Sequence, residues 1–155
     1  MQKFDFQPTQ IKGLYLIKPF YVEDERGYFS KNFEKDIFLK MGITMDIQES
    51  IESRSHKGVL RGLHFQKREP QAKLVRAVLG RIFDVAVDLR HGSETFGKWQ
   101  GFLLDDENKH ELYIPPGFAR GFLVLSDTAI VNYLCAGKYL QSEDCGIIWN
   151  DPDVN

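Results

Sequence analysis

A chain of 155 residues, 43% hydrophobic and 27% charged, has the make-up of one ordinary globular domain. Twenty basic residues against 22 acidic ones leave a formal charge of -2, which gives no overall pull toward nucleic acid or an anionic membrane surface. Two cysteines outside any CxxC pattern argue against a disulfide framework or structural zinc and fit a reducing cytoplasm, while no signal core or membrane-length apolar segment is expected.

Short apolar or alternating runs follow one another along the chain. A strand is predicted over 13–19. Asp24-Glu25-Arg26-Gly27 reads as a turn leading into a strand over 28–33. The one convincing helix is predicted over 34–41, stopped by Gly42. Further strands are predicted over 46–50, 59–65, 73–79, 81–89, 99–104, 110–114, 121–125, 129–134 and 146–149. Many short strands divided by turns predict an all-β sandwich or barrel, and no linker or repeat divides residues 1–155 into more than a single domain. The absence of a glycine fingerprint and of strand–helix alternation argues against a nucleotide-binding α/β fold.

Within this pattern Arg61, His64 and Lys73 are conspicuous. They sit in segments that otherwise read as buried strand, where cationic or titratable groups are costly unless they serve something. An enclosed anionic or keto substrate is one such use; a hydrogen-bonded core histidine and a rim lysine are the plainer reading. Strand alternation without a bulge points Arg61 with Leu63 and Phe65, and His64 with Gln66, while Gly62 allows a close backbone approach. Lys73 and Val75 share one face of the next strand. In the strand over 83–89, Asp84 and Asp88 share the face opposite Phe83, Val85 and Val87, turned to solvent or to a polar cavity. Pro115, Pro116 and Gly117 stiffen a turn that can hold Arg120 at a cavity wall or leave it exposed. Tyr133, at the end of an apolar strand, is either core packing or a general acid. The four histidines, His56, His64, His91 and His110, form no HxH pair, so no metal site is expected.

Taken together, these segments resemble the dTDP-4-dehydrorhamnose 3,5-epimerase family. The likeness runs through Asp24-Glu25-Arg26-Gly27-Tyr28-Phe29, Gly58-Val59-Leu60-Arg61-Gly62-Leu63-His64-Phe65-Gln66 and Lys73-Leu74-Val75-Arg76. It continues through Phe83-Asp84-Val85-Ala86-Val87-Asp88-Leu89-Arg90, Ile114-Pro115-Pro116-Gly117-Phe118-Ala119-Arg120-Gly121-Phe122 and Trp149-Asn150-Asp151-Pro152. The resemblance implies a cupin-like jelly roll with one or two short helices, usually a homodimer, whose metal-free active site lies inside the barrel. It implies a nucleotide-linked, expected dTDP-linked, 4-keto-6-deoxyhexose as substrate, no cofactor, and inversion at C3, C5 or both. By matching positions it implies His64 as base, Lys73 as enolate stabiliser and Tyr133 as acid, with Arg26, Phe29, Gln48 and Arg61 binding substrate.

Four departures from the family pattern bear on the walls of the site. Arg120 replaces a histidine, Lys31 an acidic residue, Ser50 an asparagine and Ala72 a glycine. Lys31, Ser50 and Arg120 are accordingly expected beside the substrate. The resemblance also implies a further C-terminal segment carrying an aspartate that orients the histidine; Asp84, or a carboxylate of a second subunit, is the substitute to look for. The competing expectations are a non-catalytic nucleotide-sugar-binding cupin and a related keto-sugar isomerase.

Overall fold

A computed structural model of the chain describes residues 3–155. In chain order the elements are β1 (Asp5–Pro8), β2 (Tyr15–Lys18), β3 (Phe20–Asp24), β4 (Gly27–Lys31), α1 (Lys35–Lys40), β5 (Ile47–His56), β6 (Leu60–Gln66) and β7 (Ala72–Leu79). They continue with β8 (Arg81–Asp88), β9 (Trp99–Asp105), β10 (Glu111–Ile114), β11 (Phe118–Val124), β12 (Thr128–Ala136), a 3-10 turn (Gln141–Glu143) and β13 (Asp144–Gly146). A six-stranded sheet, ordered β1-β2-β10-β7-β12-β5, faces a five-stranded sheet, ordered β13-β6-β11-β8-β9, and β3–β4 forms a separate hairpin. Every pairing is antiparallel. This is the expected all-β jelly roll. β1 and β3 are additions to the sequence reading, and β13 starts two residues before the predicted strand. Among the described residues no helix is long and apolar enough to cross a membrane.

Period-two alternation decides what each strand gives to the core. Val75 and Ala77 of β7, Leu112 and Ile114 of β10, and Val131 of β12 point between the sheets. They meet Ile82 and Ala86 of β8 and Phe118 and Phe122 of β11. Burying each large side chain is worth about 1.5–3 kcal/mol. The other face of the six-stranded sheet carries a second core. There Ile17, Leu74 and Tyr113 pack with Phe38 of α1, whose ring lies 5.1 Å from that of Phe6 and 4.8 Å from that of Phe33. Asp36 in the first turn of α1 and Lys40 in the last complement the helix dipole.

Both faces of β8 are covered. Phe83, Val85 and Val87 face away from the interior, with Val85 and Val87 packing beneath the C-terminal segment beside Ile147 and Val154. Ile82, Asp84, Ala86 and Asp88 face inward and are fully buried. The solvent-facing option for the two aspartates therefore does not hold: each is 0% exposed.

Candidate active site

The polar cluster is built from facing strands of the two sheets. On β6 and β11 the register shifts: His64 lies opposite Arg120, and Arg61 opposite Phe122. β6 thus spends one more residue than β11 over this stretch, a bulge that turns Arg61 onto the same inward face as His64. The expectation that Arg61 points with Leu63 fails for that reason. Gly62 is the close approach the sequence suggests. A Cβ there would sit 2.5 Å from Gly121 Cα and 2.8 Å from the Arg120 carbonyl oxygen. Arg61 Nε donates to Ser55 Oγ of β5 at 2.9 Å, linking one sheet to the edge of the other. Arg61 and His64 are exposed along the open side of the barrel. Gln66 is buried beyond them, and its amide bonds the carbonyl of Lys138 at 2.9 Å and the N–H of Leu140 at 2.8 Å.

Deeper inside, Lys73 lies opposite Cys135, with its Nζ 5.8 Å from the centre of the Tyr133 ring. The Arg120 guanidinium is 5.3 Å from the same ring and 4.9 Å from that of Phe122. Arg120 Nε donates to both oxygens of Asp84, at 3.2 and 3.1 Å, and its Nη2 donates to Asp84 Oδ2. Asp84 is 0% and Arg120 6% exposed, so this ion pair is internal. The electrostatics follow from burial and from the crowding of cations. Burial, reinforced by Arg120, holds the Lys73 ammonium below the usual lysine range. Burial pushes the Tyr133 phenol above the tyrosine range, with Arg120 and Arg61 pulling the other way. Burial likewise raises the Asp84 carboxyl, against Arg120 and Lys73. A phenol that keeps its proton, ringed by Arg61, Lys73 and Arg120, suits delivery of a proton next to a developing oxyanion.

The other sequence-predicted residues lie elsewhere on this chain. β5 turns Ser50 to its outer side, opposite Leu134, with Asn132 Nδ2 3.5 Å from Ser50 Oγ, and Gln48 is the extra residue of a bulge, exposed and bonded to Asp46 at 3.0 Å. The inward residues are Glu49 and Ile51. Glu49 lies opposite Cys135 and accepts from the Tyr139 N–H at 3.0 Å. Sequence reasoning missed Glu49, and a bulge hides its phase: Glu49 lies opposite Cys135 but Ile47 lies opposite Ala136, so Ile47 packs into the outer core while Ile51 faces in opposite Tyr133. Arg26 and Phe29 ride on the β3–β4 hairpin: the Arg26 side chain is 85% exposed and paired with Asp24 at 2.6 Å, and Phe29 is 56% exposed. Lys31, the last residue of that hairpin, pairs with Glu34 at 2.9 Å. Among the described residues the His64 imidazole has no hydrogen-bond partner, and Asp84 is held by Arg120 instead.

Among the described residues, no three His, Cys, Asp or Glu side chains gather as a metal-holding group. A cavity of about 390 Å³ lies outside the barrel under the C-terminal segment, between Leu60, Leu63, Val85 and Trp149. None of Arg61, His64, Lys73, Arg120 and Tyr133 lines it, and chemistry needs those groups.

The family model described as dTDP-4-dehydrorhamnose 3,5-epimerase matches residues 8–155. The dTDP-4-dehydrorhamnose 3,5-epimerase of Methanothermobacter thermautotrophicus is 51% identical over 99% of this chain and 83% of its own length. Among solved structures, the dTDP-6-deoxy-D-glucose-3,5-epimerase of Legionella pneumophila, in complex with dTDP-4-keto-L-rhamnose, superposes with a TM-score of 0.95. That pair is 44% identical, covering 98% of this chain and 81% of the other. A 3'-monoepimerase from Streptomyces bikiniensis, in complex with dTDP-quinovose, superposes at 0.88 with 34% identity, covering 95% and 75%.

Proposed function

This chain belongs to the dTDP-4-dehydrorhamnose 3,5-epimerase family, and on that premise we propose that it is a cofactor-independent cytoplasmic epimerase of a dTDP-linked 4-keto-6-deoxyhexose. Residues 1–155 act as one catalytic domain. The observation that carries the reading is the convergence of Arg61, His64, Lys73, Arg120 and Tyr133 on the barrel interior from two facing sheets.

The C4 carbonyl acidifies the protons on C3 and C5. His64, on the open side of the barrel, takes one of them as base. Negative charge then moves onto the C4 oxygen, where the Lys73 ammonium stabilises it; a cation aimed at developing charge in an enclosed site is worth several kcal/mol, on the order of 3. Tyr133, with its phenol held protonated by burial, returns a proton to the opposite face of the same carbon, and the configuration inverts. Arg61 anchors the charged part of the substrate as a planar donor.

Arg26 and Phe29 enter this scheme through a homodimer. Both side chains are exposed and turn away from the polar cluster of their own barrel; in the proposed dimer they reach the partner's cavity, where a guanidinium and an aromatic ring suit a diphosphate and a base. A second reading, inversion at one carbon only, is favoured by the likeness to the 3'-monoepimerase.

The test is solvent exchange followed by NMR. In D2O the protein should exchange deuterium into C3, C5 or both of dTDP-4-keto-6-deoxyglucose, and the positions labelled separate the two readings. Binding of the nucleotide sugar without exchange would make the protein a binding module. Neither binding nor exchange would remove the substrate assignment.

A further inference from the structure

The outer face of the six-stranded sheet carries a polar row that the reaction does not use. Glu111 of β10, Arg76 of β7 and Asn132 of β12 lie side by side in register. Glu111 is 0% exposed and its Oε2 has no hydrogen-bond partner. Arg76, directly opposite in register, forms no ion pair with it. Arg76 bonds Asn32 instead. With the Asn32 amide oriented to satisfy both its neighbours, its oxygen accepts from Arg76 Nε at 2.7 Å and Nη1 at 3.1 Å, and its nitrogen donates to Ser30 Oγ at 2.9 Å. Beside these groups lies a cavity of about 320 Å³, lined also by Leu74 and Leu134. A buried carboxyl with an unmade hydrogen bond is costly, and its natural complement is a molecule that fills the space and completes the bond.

We propose that this cavity is a second ligand site, on the face of the sheet opposite the reaction cavity, for a neutral polyhydroxyl molecule the size of a monosaccharide. A hydroxyl both donates and accepts, so one hydroxyl can take a bond from a guanidinium or amide and give one to Glu111. Leu74 and Leu134 offer an apolar floor to the C–H face of a sugar ring. Arg76 opposes a cation. A carboxyl beside the guanidinium opposes an anion whenever it is ionised, and burial raises Glu111 well above its ordinary value, with Arg76 opposing, so that it can also donate.

The experiment is an amide-resolved NMR titration of the full chain with free L-rhamnose and with D-glucose, and separately with inorganic phosphate. Saturable shifts are expected at Asn32, Arg76, Glu111 and Asn132 with at least one sugar. Glu111→Leu and Asn132→Leu should each weaken that binding by about tenfold, the effect of one good hydrogen bond, and His64→Asn should leave it unchanged. Asn132 is only half-buried, so its variant carries the test if Glu111→Leu does not fold. No saturable shift with either sugar, or shifts confined to barrel residues and removed by His64→Asn, would overturn the site. Saturation of these amides by phosphate but by neither sugar would overturn the carbohydrate assignment.

Discussion

The middle and the end of β8 carry the same residue on the same face at the same solvent exposure, Asp84 and Asp88, and the fold sets them to opposite purposes. Asp88 accepts two hydrogen bonds from the Arg90 side chain at 2.9 Å, one each from Ser93 and Thr95 at 2.6 Å, and one from the Arg90 N–H at 3.0 Å. Burial alone would raise its carboxyl, but those bonds outweigh burial and hold it well below the usual carboxylate range. Among the described residues Asp84 has only Arg120 as its hydrogen-bonding partner, and there burial prevails. Asp88 therefore stays ionised and clamps the turn after β8, where Arg90 also covers the Phe118 ring at 4.8 Å. Asp84 holds Arg120 in place over Tyr133. Equal solvent exposure does not mean equal electrostatics: Asp84 lies deeper in the interior with one donor residue, Asp88 nearer the rim with several.

Substitutions test this division, and the largest expected effect lies in the reaction cavity. His64→Asn should lower deuterium exchange at both carbons by about a thousandfold while leaving the unfolding midpoint in place, because the His64 imidazole is exposed and bonds none of the described residues. Tyr133→Phe should lower completed inversion by about a hundredfold yet spare exchange of the first proton; equal loss of both would remove its role as acid. Asp84→Leu alone should destabilise the fold by about 3–5 kcal/mol by leaving Arg120 buried and unpaired. Asp84→Leu with Arg120→Met should regain most of that in urea unfolding, and failure to do so would mean that the pair is itself stabilising.

At the end of β8, Asp88→Asn should cost about 2–3 kcal/mol with kcat changed by less than about twofold. The pH dependence has a definite sign. The folded Asp88 carboxyl titrates below its unfolded value of about 4. Its contribution is therefore complete above that pH and is lost as pH falls through the folded value. Asp88→Asn should flatten the acid limb of the stability curve. The smallest effect expected is on the alkaline side of activity: the limb governed by Lys73 should fall before the usual lysine range, and Lys73→Arg should move it upward.

Much of this was legible in the residues, and the gaps have physical causes. The alternation of β8 predicts that Asp84 and Asp88 share a face. It does not tell which face is interior, because the C-terminal segment covers the apolar side as well. The direction of Arg61 was illegible because a bulge is a property of two strands together, and it depends on the contact between Gly62 and Gly121. β5 is polar along most of its length, and a bulge at its start puts Ile47 in the outer core while Ile51 faces in, so its two isoleucines give no single phase from which to place Glu49. Lys73 and Tyr133 read more easily, since each interrupts an apolar strand whose inner face has a single phase. The β3–β4 hairpin shows the converse. Its turn was plain from Asp24-Glu25-Arg26-Gly27, but its distance from the barrel is tertiary geometry that no local pattern encodes.

The contact between Gly62 and Gly121 has a consequence for how this protein tolerates change. A Cβ on Gly62 would meet Gly121 Cα at 2.5 Å, and one on Gly121 would meet the Arg61 carbonyl oxygen at 2.8 Å. The strand bearing the imidazole and the strand bearing the buried guanidinium thus touch through bare backbone. In a deep mutational scan, two positions with no chemistry of their own should be as intolerant as His64. They hold the spacing of the reacting groups, and sequence drift has nothing smaller to put there.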